Sequence, residues 1–305
     1  MTKSINYKLI IGLLFLSFFV FIAIFGPSIA PYNKDYKQQI LYSLENGGEI
    51  IGPPSPPSQE FWLGTDKYGY DILTKLLYGA KYTVFTTIIV ALLRTVIGTI
   101  LGIIMGLSKK SGELNKSHFP ILSSIPTFII IYFVMISINI EPVLSVLSLV
   151  LIQGALMTIL GVSGVFNVVY AKTAETKNSI FVMASQTLGG SRIHIMKKHI
   201  FPMLKGNLLI LFVNETIQVL HLIGQLGIFN LFLGGTSFPL MATKFTSITN
   251  EWSGLLGESK DFLYYAQWIL LCPLAVYLLF LFTFYLISLG LNERHHDQIA
   301  KTRYL

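Results

Sequence analysis

Five side chains between Asn214 and Gln225 are spaced to do chemistry together. At 100° per residue on a helix, Asn214, Gln218, His221 and Gln225 fall within about 60° of one another, and Glu215 lies on the edge of that stripe. Amides and an imidazole are costly against lipid, so this face should point inward. They suit hydrogen bonds to neighbouring helices, and Glu215 with His221 would serve as a proton relay. One imidazole and one carboxylate are too few ligands for a closed metal site, so no metal is expected. No catalytic residues are expected either. The chain has no G-x-x-x-x-G-K-[ST] loop and so does not hydrolyse ATP by itself, and neither a Ser-His-Asp nor an H-E-x-x-H arrangement is visible.

The elements that must hold this stripe are apolar. Of 305 residues, 53% are hydrophobic and only 12% charged, about half the charged share of a soluble domain. That excludes a soluble globular enzyme, a disordered chain and a secreted disulfide scaffold. The single cysteine, Cys272, sits in an apolar run and reads as a small core hydrophobe. Six stretches are long enough to cross a bilayer as helices: about Leu9–Ile29, Val84–Leu107, Phe119–Asn139, Val143–Phe166, Gly206–Gly234 and Tyr264–Gly290. They are too long, and alternate too little, for barrel strands. Lys3, Lys8 and Ser28-Ile29-Ala30 imitate a secretion signal, but the apolar run is too long and Pro31 follows the cut, so the first span reads as an uncleaved anchor.

Charge orients the spans. With the N-terminus inside, fourteen Lys and Arg fall on the cytoplasmic side and seven outside, while Arg94 of the 22 lies within the second span. The formal charge of +7 is thereby explained by topology, and nucleic acid is not expected as a partner. Both termini would be cytoplasmic, with a long outer connection near residues 30–82 and a long inner one near 167–205. On the second span, Gly98, Gly102 and Gly106 form a stripe that lets a neighbouring helix approach closely, most simply within the same subunit. Arg94 would face a cavity or snorkel to an interface, and a Glu215–Arg94 ion pair is one arrangement open to it.

The inner connection reads as helix, turn, helix. Ser179–Leu188 suits a short helix, Gly189-Gly190 supply the positive φ that ends it, and Ser191 caps the next, which runs through Arg192, Lys197, Lys198 and His199 to Pro202. This loop resembles the E-A-A motif of permease subunits in ABC importers, whose pattern is Glu-Ala-Ala, three residues, Gly, and a basic helix closing on Pro. Met183-Ala184-Ser185 stands at the first positions, Gly189 at the Gly, and Lys198-His199-Ile200-Phe201-Pro202 resembles the Arg-His-Ile-Leu-Pro ending of the dipeptide/oligopeptide/nickel branch. Met183 replaces the acidic residue and Ser185 the second Ala. The resemblance implies that Met183, Ala184, Ser185, Leu188, Gly189, Gly190, Arg192, His199 and Pro202 belong to a hairpin that couples the chain to an ATPase, with apolar docking by Met183 in place of the family's salt bridge.

A second segment agrees. Leu63-Gly64-Thr65-Asp66-Lys67-Tyr68-Gly69-Tyr70-Asp71, followed by Ile72 through Tyr78-Gly79-Ala80-Lys81, resembles the L-G-T-D-x-x-G-R-D segment before the second span of C-type peptide permeases, with Tyr70 in place of Arg. By residue type, Gly64-Thr65-Asp66 is a turn, and Asp71 onward is an amphipathic helix suited to the membrane interface. Asp66 and Asp71, without His or Cys nearby, read as turn and cap residues. Glu251-Trp252-Ser253-Gly254-Leu255-Leu256 and Trp268 with Pro273 match the family more weakly.

The resemblance implies an all-α integral membrane protein of type I ABC importer permease fold with six transmembrane helices. Its organisation would be an anchor helix and extracytoplasmic segment over residues 1–83, a permease core over 84–290 and a cytoplasmic tail over 291–305. It implies that the face of Asn214, Glu215, Gln218, His221 and Gln225 lines a wetted translocation path that touches the cargo's polar groups, and it implies a non-catalytic subunit that binds no cofactor directly, with ATP and Mg in partner subunits. The expected partners are a second homologous permease, two ATPase subunits, an extracellular substrate-binding protein, a peptide cargo and the lipid bilayer. Nickel or a metal chelate is the alternative cargo, and a secondary transporter using Glu215 and His221 the alternative mechanism. Frequent Lys, Ile and Asn suggest the plasma membrane of a Gram-positive bacterium.

Overall fold

A computed structural model describes residues 6–43, 49–108, 125–238 and 244–303. Among the described residues the regular structure is helical apart from two short antiparallel hairpins. The long elements are α1 (Tyr7–Ile29), α2 (Ile72–Gly106), α3 (Thr127–Asn139), α4 (Val146–Lys177), α5 (Ile180–Thr187), α6 (Arg192–Ile228), α7 (Trp252–Ser259) and α8 (Trp268–Arg303). The hairpins pair β1 (Leu41–Ser43) with β2 (Glu49–Ile51), and β3 (Thr236–Ser237) with β4 (Thr246–Ser247). Five helices, α1, α2, α4, α6 and α8, are long and apolar enough to cross a membrane, and α3 is a shorter apolar helix of 13 residues. Of the third span expected at Phe119–Asn139, residues 119–124 lie outside the described residues, and the described part is helical from Thr127, with Pro126 at its N-cap.

The glycine stripe explains how the centre is built. A Cβ at Gly98 would meet the Cβ of Val165 at 2.7 Å, one at Gly102 that of Val169 at 2.8 Å, and one at Gly106 that of Thr173 at 2.7 Å. Each step of four on α2 matches a step of four on α4 in the same direction. The two helices are thus in backbone contact and run parallel, with β-branched side chains of α4 seated in the notches of α2. Parallel neighbours require the intervening chain to return along the pair, and α3 is the described part of that return. Gly98, Gly102 and Gly106 face α4 of the same chain.

The other helices close around this pair. Gly12 of α1 lies against Ile287 of α8, and Gly290 of α8 against Leu9 of α1, so these two run antiparallel. The Asn6 amide donates to Gly290 O at 2.9 Å, and Lys8 pairs with Glu293, which puts the start of α1 beside the far part of α8. Ile103, Val165 and Val169 share a buried cluster with Val182, Ile195, Ile200 and Leu204. The α5–α6 hairpin therefore stands at the end of the bundle where α2 finishes. At the opposite end, Phe19, Trp252, Phe280 and Phe284 interlock edge to face.

Several boundaries differ from those read from hydropathy. Helix α2 starts at Ile72 rather than near Val84, since the amphipathic segment capped by Asp71 continues into the span without a break. Helix α4 runs on to Lys177, beyond Phe166. Helix α6 begins at Arg192 rather than near Gly206 and ends at Ile228. The second helix of the hairpin and the fifth span are one helix, with a π turn at Met196–Ile200. Pro202 has no N–H, and its ring would crowd the carbonyl four residues back; widening the preceding turn accommodates both without ending the helix. The divisions drawn at 83/84 and 290/291 consequently fall inside α2 and α8. Hydropathy reports what lipid must cover, and a helix extends past that depth when other elements pack against it.

Candidate functional site

The polar face of α6 divides in two. Gln218, His221 and Gln225 are exposed and line a cavity of about 430 Å³, together with Arg94, Pro126, Thr127, Phe128, Gly161 and Leu222. Glu215 stands at its edge and accepts from Arg94 Nη1 at 3.2 Å. Asn214 is elsewhere: Ser288 Oγ of α8 donates to its Oδ1 at 2.9 Å. The stripe thus brings three of its five members to the cavity, a fourth to the ion pair and the fifth to a helix–helix contact.

Arg94 is the residue whose surroundings sequence reasoning left open. It is 4% exposed, and both its Nε and Nη2 donate to Met157 O of α4, at 2.9 and 2.6 Å. A single guanidinium joins α2, α4 and α6. Gly161 makes this possible, because a Cβ there would collide with Arg94 Cζ. Gly154 and Gly161 are seven residues apart, which is one face of a helix, and that spacing was the available signal. A buried ion pair costs desolvation on both sides, and removing one partner typically costs about 3–5 kcal/mol. Glu215 is occupied by Arg94, which argues against its use as a relay with His221.

At the hairpin end, α5 stops in a Schellman arrangement: Gly189 has φ +85°, and Gly190 N donates to Ser185 O at 2.9 Å. Ser191 Oγ accepts from His194 N at 3.2 Å and caps α6. Val182 is buried and anchors the hairpin. Facing outward are Ile180, Phe181, Met183 (49% exposed), Leu188 (88% exposed) and Ile193, beside the exposed Ala184, Arg192, Lys197, Lys198 and Pro202. Ser185 and His199 are half-buried. The surface is an apolar patch bordered by basic side chains.

At the opposite end the Gly64–Gly79 segment is tied down throughout. Gly64 and Gly69 have positive φ, and Thr65 pairs with Asp71. Asp66 Oδ1 accepts from Tyr68 N at 2.9 Å and Tyr70 N at 3.0 Å, while its Oδ2 accepts from Lys75 Nζ at 2.8 Å. Lys75 also reaches Glu258 of α7 at 2.7 Å. Asp71 caps α2 through Thr74 N at 2.8 Å. Asp66 thus stands in a turn and Asp71 at a helix cap. Tyr78 is half-buried, and Gly79 lets the backbone of Asn250 lie directly on α2. Trp252 Nε1 donates to Leu76 O at 3.0 Å, and Trp268 Nε1 to Thr65 O at 3.2 Å. The strong and weak sequence signatures therefore meet in one cluster. Within it Glu251 is wholly buried; burial pushes its carboxyl up to about 7, against hydrogen bonds from Ser253 that act to lower it. From the sequence Glu251 reads only as part of a weak family match, and the Lys75–Glu258 pair is not signalled there.

An apolar helical bundle with an open polar face at mid-length and an exposed helical hairpin at one end has the form of a membrane permease. The chain belongs to the family of binding-protein-dependent transport system inner membrane components, whose model matches residues 95–298, and residues 8–46 match the N-terminal transmembrane domain of oligopeptide transport permease C. It is 26% identical over 300 residues to the oligopeptide transport system permease protein OppC of Bacillus subtilis, covering 97% of this chain and 87% of the relative. It is 27% identical over 292 residues to the dipeptide transport system permease protein DppC of Haemophilus influenzae, covering 94% and 90%. A third relative, the di/tripeptide transport system permease protein DppC of Pseudomonas aeruginosa, is 24% identical over 296 residues, covering 92% and 85%. The relatives come from Gram-positive and Gram-negative bacteria alike.

Proposed function

We propose that this chain is the permease subunit of an ATP-driven importer of short peptides. It would cross the plasma membrane six times with both termini in the cytoplasm. A second homologous permease would complete the path, two ATPase subunits would bind and hydrolyse Mg-ATP, and an extracellular binding protein would deliver the peptide. The Lys-rich composition favours a Gram-positive host.

The observation that carries this reading is the exposure of Gln218, His221 and Gln225 around a cavity on a helix otherwise apolar enough to cross a membrane. Amides and an imidazole are costly against lipid, so such a face belongs against water or a partner. The same helix continues unbroken to the hairpin, whose apolar patch suits a groove on an ATPase. Met183 and Leu188 supply apolar contact there, and the closing of the ATPase dimer would move α5 and α6 together and expose the cavity to the outside.

The test is co-purification from the native membrane followed by an ATPase assay with and without peptide. ATPase subunits recovered with this chain, and lost in the M183K and G189D variants, support the proposal. Recovery of the chain alone, with peptide flux in vesicles lacking ATP, would overturn it in favour of secondary transport; stimulation by a nickel chelate and by no peptide would change the cargo.

A further inference from the structure

We infer that Arg94 reads the cargo: its guanidinium receives a carboxylate, which for a peptide is the C-terminal carboxylate. This rests on the peptide-permease reading above.

The cavity wall is chemically one-sided. Among the described residues that line it, Arg94 carries the one permanent charge, and it is flanked by the amides of Gln218 and Gln225, the hydroxyl of Thr127 and the imidazole of His221. Among the described residues that line the cavity there is no carboxylate, and Glu215 stands at its edge, paired with Arg94. A positive, amide-rich wall fits an anionic group at the end of a chain of peptide bonds.

The guanidinium also has donors to spare. It carries five N–H groups. Nε and Nη2 each give one to Met157 O, and Nη1 gives one to Glu215 at 3.2 Å. One N–H remains on each terminal nitrogen, the fork that binds a carboxylate through two parallel hydrogen bonds. The contact with Glu215 is through Nη1 only, so Glu215 neutralises the cation and leaves a further N–H on each terminal nitrogen. Gly161 keeps the seat open on the α4 side.

This arrangement suits a transporter that takes many sequences. The free C-terminal carboxylate is common to all unmodified peptides whatever their side chains. An arginine that reads it, beside amides that meet the backbone, would select peptides as a class and ignore their sequence. A purely structural Arg94 would brace α2, α4 and α6 and be indifferent to the end group of the cargo.

The two roles separate in an uptake assay. The complete transporter, with its partner permease, ATPases and binding protein, is placed in proteoliposomes, and ATP-driven uptake of one labelled tripeptide is compared as free acid and as C-terminal amide. The wild type is expected to favour the acid by about tenfold, the worth of one charge-assisted hydrogen bond. R94Q is expected to bring the acid-to-amide ratio near one, whatever its overall rate of uptake. E215Q, which keeps the cation, is expected to retain the preference. Equal loss of both forms in R94Q with an unchanged ratio would overturn the inference, as would a wild type without preference. If R94Q does not assemble with its partners, R94K decides: lysine keeps the charge without the fork, so a fall in the ratio supports the reading and an unchanged ratio overturns it. If the wild type takes up neither form, the peptide reading itself fails.

Discussion

Two stripes run through this molecule with nearly the same spacing and opposite fates. Gly98, Gly102 and Gly106 on α2 are filled from within, by Val165, Val169 and Thr173 of α4. Gln218, His221 and Gln225 on α6 are left open around a cavity. The first stripe is a demand the chain satisfies by itself, because a notch and a β-branched side chain are complementary in shape. The second is a demand the chain leaves for something outside it, because exposed amides on an apolar helix need water, cargo or another subunit. Spacing alone marks a face; whether that face is closed depends on what the rest of the fold brings to it.

That contrast can be broken at its closed side first. Gly102→Leu places a branched side chain where even a Cβ comes within 2.8 Å of Val169, and is expected to destabilise the bundle by about 3 kcal/mol or more, read as loss of the chain from membranes. At the open side, Gln218→Leu is expected to leave the melting of the purified complex unchanged and to lower peptide transport by about tenfold, the loss of one hydrogen bond. If both substitutions behave alike, the distinction between the stripes is wrong.

A third measurement sharpens the comparison at the far end, which is closed like the glycine stripe but by polar means. Glu251 titrates at about 7 when folded, against an ordinary value of 4.5. The folded state therefore holds the proton more tightly than the unfolded one. Its contribution to stability is complete below pH 4.5 and is lost as the pH rises through about 7. Melting of the purified chain is expected to fall over that interval, and E251Q is expected to remove that part of the pH dependence. The smallest effect belongs to the half-exposed pair Lys244–Asp261, at 2.7 Å: K244A is expected to change stability by no more than about 0.5 kcal/mol in a melting assay.

Legibility followed locality. The hairpin was readable because its determinants, Gly189, Gly190 and Ser191, act within a few residues of themselves. The turn at Asp66 and the cap at Asp71 were readable for the same reason. Glycine spacing identified the packed face of α2, though not its partner on α4. The division of the α6 face was beyond sequence, because Asn214 is drawn away by Ser288, 74 positions along the chain. So was the seat of Arg94, which depends on a glycine of another helix and a backbone carbonyl at Met157. The helix limits at Ile72 and Arg192 were missed because apolarity fades there while tertiary packing continues.

The π turn at Met196–Ile200 sets the phase of α6. The residues before it form the hairpin and those after it carry the cavity side chains, yet all belong to one helix of 37 residues, about 55 Å long at 1.5 Å per residue. A widened turn adds one residue to the winding, so the two ends are clocked against each other by about 100° relative to a regular helix. Deleting one residue there would rewind the shaft and turn the apolar patch away from its present bearing while leaving every side chain of the cavity in place. The chain would keep both its surfaces and lose the angle between them.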